Sequence, residues 1–158
     1  MRSCPTPRTA GLYGYREWLS TLTPDLFATF TFAEEASDYR ADRSARVFFR
    51  RFHENFAPSS MIYVVEPHPG NPEAHHLHAL LKYSTLVPPD YATVRRLWRW
   101  GHCWIVPANG KAGRYVGKYM AKTICEWDIL GDVSLWRISE PLTTLPTSTI
   151  IHTGDPGG

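Results

Sequence analysis

The chain has 158 residues, 43% of them hydrophobic and 13% aromatic, and carries a formal net charge of +2. That length suits one domain able to bury most of the surface its unfolded form exposes. No apolar run nears the roughly 18 residues of a membrane helix, and Met1 to Arg8 lacks the apolar stretch of a secretory signal, so a soluble chain in the cytoplasm with no membrane partner is expected.

Cys4, Cys103 and Cys125 are odd in number, far apart and never in a Cys-x-x-Cys arrangement. This argues against a disulfide framework and a thiolate zinc site. The charge is too small for the whole surface to attract a polyanion, so any nucleic-acid surface must come from local clusters. Three stand out: Arg43, Arg46, Arg50 and Arg51; Arg95, Arg96 and Arg99; and Lys111, Arg114, Lys118 and Lys122.

Phe27-Ala-Thr-Phe-Thr-Phe32 alternates aromatic with small or polar residues and predicts a first strand with one buried face. Ser37-Asp38 offers capping oxygens to a helix reaching about Asn55, whose Val47, Phe48, Phe52 and Phe56 recur at helical steps. Arg43, Arg46 and Arg50 read as the solvated side of that helix. Met61 to Glu66 predicts a second strand, closed by Pro67, and Pro69-Gly-Asn-Pro72 is turn chemistry leading to a third strand from about His75 to Tyr83. Pro88 and Pro89 suit the first turn of a second helix running to about Trp100. His102 to Val106 predicts a fourth strand and Ala112 to about Glu126 a third helix, with Val133 to Ile138 as a further edge strand.

The order β-α-β-β-α-β-α predicts an α+β fold: a ferredoxin-like, split βαβ antiparallel sheet of about five strands with helices on one face and the other face available. The expected organisation is an N-terminal extension over 1–24, one domain over 25–140 and a flexible tail rich in Thr, Ser, Pro and Gly over 141–158.

Chemistry concentrates in two places. Strand side chains alternate between faces, so His76 and His78 share one face while Leu77 takes the other. Glu66 ends the partner strand of the same hairpin, where a short turn can set its carboxylate beside both imidazoles. Two imidazoles and a carboxylate hold a divalent metal and leave positions open for water and substrate; mixed nitrogen and oxygen ligation suits Mn²⁺, Mg²⁺ or Zn²⁺. His68 and His75 read instead as solvated turn residues.

On the third helix, Tyr115, Lys118, Tyr119 and Lys122 fall within an arc of ~100°, while Val116, Met120 and Ile124 form a separate apolar stripe that seats the helix. A phenol, with a pKa near ~10, needs cations nearby or an activated electrophile to act as a nucleophile. Lys118 and Lys122 supply the cations.

The ordered set resembles the HUH endonuclease superfamily, in particular the rolling-circle replication initiators of plasmids and single-stranded DNA phages. Its carriers are the strand Phe27–Phe32, His76-Leu77-His78 behind an acidic strand end, and Tyr-x-x-Lys twice in overlap, Tyr115 to Lys118 and Tyr119 to Lys122, as in the two-tyrosine initiators. The resemblance covers about Phe27 to Ile124. It implies an HUH endonuclease fold with Glu66, His76 and His78 as metal ligands, and site-specific nicking and joining of single-stranded or cruciform origin DNA through a covalent 5′-phosphotyrosine. Tyr115 and Tyr119 would be nucleophiles, assisted by Lys118 and Lys122, in a bacterial or archaeal host. The chain has no Gly-x-x-x-x-Gly-Lys-Ser/Thr phosphate loop, so unwinding and synthesis are expected of a host helicase and polymerase.

Tyr91 to Trp100 interleaves Arg95, Arg96 and Arg99 with aromatic residues, a composition that tracks phosphates and stacks bases. The competing assignment makes Leu97 and Trp98 core and the arginines solvated. Lys111 and Arg114 adjoin the tyrosine helix and are the stronger phosphate candidates. Two alternatives stand beside nicking in replication: a single-strand transposase or relaxase of the same superfamily, and a non-catalytic nucleic-acid-binding module on a ferredoxin-like fold.

Overall fold

The computed structural model describes residues 18–109, 111–120 and 126–136, apart from the side chains at 117, 119 and 120. The alternating aromatic run forms β1 (Leu26–Phe30). Ser37 then caps α1 (Asp38–Phe56), its side chain accepting the Arg40 backbone N–H at 3.2 Å, so a donor left over at the helix start is satisfied. A hairpin of β2 (Ser59–His68) and β3 (Asn71–Tyr83) follows. Next come α2 (Tyr91–Leu97), β4 (Cys103–Pro107), α3 (Ala112–Met120) and β5 (Glu126–Gly131), then a 3₁₀ turn at Val133–Trp136.

The strands make one antiparallel sheet in the order β4-β1-β3-β2-β5. Each of the first two crossovers skips one strand position, which is the split βαβ arrangement, and β5 extends the sheet beside β2. The expected α+β sheet with flanking helices is therefore present.

Strand alternation divides the side chains between two layers. One face carries Ala28 and Phe30 of β1, Met61, Tyr63 and Val65 of β2, Leu77, Ala79 and Leu81 of β3, and Ile105 of β4. Helix α1 covers it with Ala41, Ala45, Phe48, Phe49 and Phe52, and Val94 and Trp98 close the layer from the α2 side. Burying each such aromatic contributes about 1.5–3 kcal/mol relative to leaving it exposed.

The opposite face is not open, as the sequence led us to expect. Ile62, Val64 and Leu80 meet Ala112 and Val116 of α3, together with Leu19, Leu22 and Trp136. Helices thus flank both faces. The packed unit already includes Leu19 and Leu22, ahead of the residue 25 boundary drawn from composition.

Other boundaries moved for local reasons. Helix α2 starts after Pro88 and Pro89, because Asp90 caps it by accepting the Thr93 backbone N–H at 2.9 Å. The third helix does not reach Glu126, which begins β5. The fifth strand is Glu126–Gly131, where Trp127 and Ile129 face the second core and Leu130 the first. Val133–Trp136 forms a 3₁₀ turn instead of the expected edge strand; Trp136 turns inward and donates its indole N–H to Ser60 Oγ at 2.6 Å. The expected C-terminal tail over 141–158 lies outside the described residues.

Candidate active site

The register of the hairpin builds the centre. Glu66 pairs directly with His76, and Val64 with His78, so one carboxylate and two imidazoles emerge on the same face of adjacent strands. Glu66 Oε2 lies 3.4 Å from His76 Nε2 and 3.5 Å from His78 Nε2, and the two Nε2 atoms are 3.1 Å apart. Ligand bonds of about 2.1 Å subtending 90–109° require donor separations of about 3.0–3.4 Å. The three side chains therefore fit a divalent cation with little rearrangement, and among the described residues this is the His, Cys, Asp or Glu group able to hold one.

Neighbouring side chains fix the ligands. Thr29 on β1 pairs with His78 across the sheet, and its hydroxyl shares a 3.1 Å hydrogen bond with His78 Nδ1. When Nδ1 carries the proton and Thr29 accepts, the Nε2 lone pair faces Glu66 and His76, the tautomer a metal requires. Phe27 stacks on the His78 ring with centroids 6.0 Å apart and planes 11° from parallel. His76 differs: its Nδ1 is buried with no hydrogen-bond partner among the described residues. Burial pushes the His76 pKa below its ordinary value, and the Glu66 carboxylate only partly opposes this. The ring stays neutral at pH 7, with a lone pair to offer.

His68 and His75 flank the centre without joining it. His68 is exposed, its ring centroid 6.1 Å from that of His76, while His75 Nδ1 is hydrogen-bonded to the Ala36 carbonyl at 2.9 Å.

Helix α3 delivers the tyrosine. Ala112 and Val116 anchor it on the second core, and Gly113 lets it approach the N-terminal segment: a Cβ there would stand 2.1 Å from the Leu19 carbonyl oxygen. Tyr115, next to Val116, consequently leans over β1 and β3. Its ring meets His78 edge to face at 5.4 Å and Phe27 at the same distance. It remains 43% exposed, reachable by a ligand. Lys118, Lys111 and Arg114 are exposed on or beside the same helix. Tyr119 lies on α3 with its side chain outside the described set, and Lys122 falls outside the described residues.

The replication-associated protein family of the ORF2 type matches residues 25–124, most of the chain and all of the centre just described. The chain belongs to that family. Membership ties this ORF2-type chain to replication, and the Glu66, His76 and His78 group and Tyr115 all fall inside the matched span. Among solved structures, the crystal structure of the hypothetical protein ORF119 from Sulfolobus islandicus rod-shaped virus 1 is similar, with 20% identity and a TM-score of 0.47 over 71% of this chain and 92% of that one. No curated protein matches significantly.

Not every basic residue singled out in the sequence of this replication-associated protein gathers at the centre. Arg95, Arg96 and Arg99 are exposed in and just after α2, whose Val94 and Trp98 pack on the opposite face of the sheet. Trp98 is core: it donates its indole N–H to the Thr31 carbonyl at 3.0 Å and packs on Trp100, which Arg51 covers at 5.5 Å. Arg46 is more than a solvated side chain, for it bridges Asp42 at 2.9 Å and Asp128 at 2.7 Å.

Sequence reasoning missed Thr29, Phe27, Trp104 and Asn109 as neighbours of the site. Thr29 was within reach: alternation puts it on one face with Phe27, and the split βαβ order sets β1 beside the His-Leu-His strand.

Proposed function

We propose that this replication-associated protein nicks and rejoins single-stranded DNA by transesterification through tyrosine, initiating rolling-circle replication of a plasmid or phage. One observation carries the reading: the Tyr115 ring rests against His78, inside a carboxylate and imidazole cluster spaced for a divalent cation. Glu66, His76 and His78 would hold Mn²⁺, Mg²⁺ or Zn²⁺, which supplies Lewis-acid polarisation of a phosphodiester.

The remaining chemistry belongs to the chain. Tyr115 is held on a helix packed by Ala112 and Val116, so its phenol enters the reaction with little motion left to lose. The phenolic oxygen forms a bond to phosphorus as the bond from phosphorus to the 3′ oxygen breaks. The phenol gives its proton to solvent, and the departing 3′ oxygen takes one up. Phosphate ester bonds are exchanged one for one, so no external energy source is needed, and the free 3′ hydroxyl can prime synthesis by a host polymerase behind a host helicase. Lys118, exposed three residues along α3, favours the phenolate electrostatically. Tyr119, four residues on, supplies the second phenol for closing the circle, with Lys122 as its cation. Lys111 and Arg114 contact the DNA backbone. Arg95, Arg96 and Arg99, carried on the other layer, extend that contact only to DNA wrapping around the β4 edge.

The test is a denaturant-resistant adduct between the protein and labelled single-stranded origin DNA in Mn²⁺. The wild type should form it, Tyr115→Phe should lose at least tenfold, and Tyr115→Phe with Tyr119→Phe, or His78→Ala, should form none. An adduct persisting in the double tyrosine variant, or insensitive to chelator, would overturn the reading.

A further inference from the structure

Beside the centre lies an open pocket of about 360 Å³, lined by Phe27, Trp104, Val106, Asn109, Lys111 and Tyr115, with Thr29 between it and His78. Its volume falls within the roughly 300–1,000 Å³ of small-ligand sites. Trp104 forms one wall. Strand alternation sends it to the site face of β4, where its ring meets Phe27 edge to face at 6.2 Å and stays 56% exposed. A half-exposed indole on an edge strand leaves most of a flat aromatic surface to solvent, unlike Trp98 and Trp136, which are buried.

The polar groups are few and placed at the rim. Asn109 accepts the Lys111 backbone N–H at 2.9 Å, which holds the turn before α3 and sets the Lys111 side chain, exposed, at the pocket mouth. An apolar, aromatic floor with one cation at its edge matches a nucleotide: a flat base for the indole and a phosphate for the ammonium. Continuity decides which nucleotide. Tyr115 is both a wall of this pocket and the neighbour of His78, so a chain running from the pocket to the centre is only about one nucleotide long.

We infer that the pocket takes the unpaired nucleotide adjoining the scissile phosphate, with its base stacked on Trp104 and its backbone at Lys111. The inference rests on the nicking reading for the position of the phosphate. Stacking of one base on one aromatic corresponds to about 5- to 150-fold in affinity. It also makes Trp104 a determinant of where the strand is cut, because an unstacked nucleotide leaves the phosphate unregistered.

Binding of fluorescein-labelled oligothymidylate, followed by anisotropy in chelator, reads the pocket without any turnover. Trp104→Ala should weaken it at least fivefold, Trp104→Phe should stay within about threefold of wild type, and Lys111→Ala should flatten its salt dependence. Photocrosslinking with an oligothymidylate carrying 5-iodouracil should mark Trp104, as found by mass spectrometry. Unchanged affinity in Trp104→Ala, crosslinks confined to residues outside the pocket, or no binding by the wild type would overturn the inference. Because no cleavage is involved, a protein that crosslinks at Trp104 yet never forms the tyrosine adduct would refute nicking alone, and an adduct-forming protein indifferent to Trp104 would refute only the pocket.

Discussion

Thr29 illustrates how a residue remote from any ligand atom governs a centre. Its hydroxyl touches the nitrogen of His78 that faces away from Glu66, and groups in that position typically alter metal affinity about 10- to 100-fold. Thr29→Val keeps the shape and removes the acceptor. It should weaken Mn²⁺ binding by calorimetry within that range while leaving the unfolding midpoint of the metal-free protein nearly unchanged, and Thr29→Ser should restore it. Equal affinity in Thr29→Val and wild type would show that Phe27 stacking alone orients the ring. His76 has no such support among the described residues, so the ligand pair is unequal, with His78 the better fixed of the two.

Among the elements, α1 is tied to the sheet by a polar cluster as well as by its aromatic stripe. The buried Tyr63 donates its hydroxyl to Asp42, and Arg46 joins Asp42 to Asp128, so one helix, a central strand and the β5 edge share four side chains. Burial alone would raise the Asp42 pKa, but hydrogen bonds from Arg46 and Tyr63 outweigh it and hold the carboxyl below its ordinary 3.8. A carboxyl depressed in the folded state stabilises the fold above its unfolded pKa and loses that contribution as pH falls through the folded value. Asp42→Asn should therefore cost about 1.5–3 kcal/mol at pH 7. In denaturant titrations the gap between variant and wild type should narrow below about pH 4; a gap constant from pH 7 to pH 3 would rule out the ionised pairing as its source.

Elements of this kind were unequally legible. Helix α1 announced itself through Phe48, Phe52 and Phe56 at helical spacing behind a Ser37 cap. Strand β5 did not, because Glu126 to Gly131 follows the helix without a proline or glycine to stop the reading, and its alternation is that of a half-exposed edge. Which sheet face α3 covers was equally hidden: an apolar stripe of Val116 and its neighbours states that the helix packs, and only Leu19, Leu22 and Trp136 decide where.

For the molecule as a whole, the sheet divides its labour. One face holds the larger aromatic core and the other the centre, the pocket and a smaller core. The ligand set was legible in full, since strand alternation and a hairpin fix Glu66, His76 and His78 with no distant partner required. The pocket was not, because Trp104 and Lys111 reach it from opposite ends of β4 and its following turn, a conjunction that appears only when β4 closes against β1. A preformed centre also links metal to stability. Mn²⁺ at about 100 times its dissociation constant adds about 2.7 kcal/mol, so the unfolding midpoint should rise by roughly 5–10 °C for a chain of this size. His78→Ala should show no rise, and an equal rise in that variant would place the ion elsewhere.

The hairpin holds one more consequence. Pairing between β2 and β3 runs unbroken from Ser59 to Pro67 and shifts only between Pro67 and His68, beyond the Glu66 and His76 pair. That irregularity absorbs slack at the tip, so lengthening the chain around Pro69 and Gly70 need not be transmitted to the ligands. The tip is accordingly where a spectroscopic label or a grafted peptide can be carried at no expense to the chemistry one strand-length away.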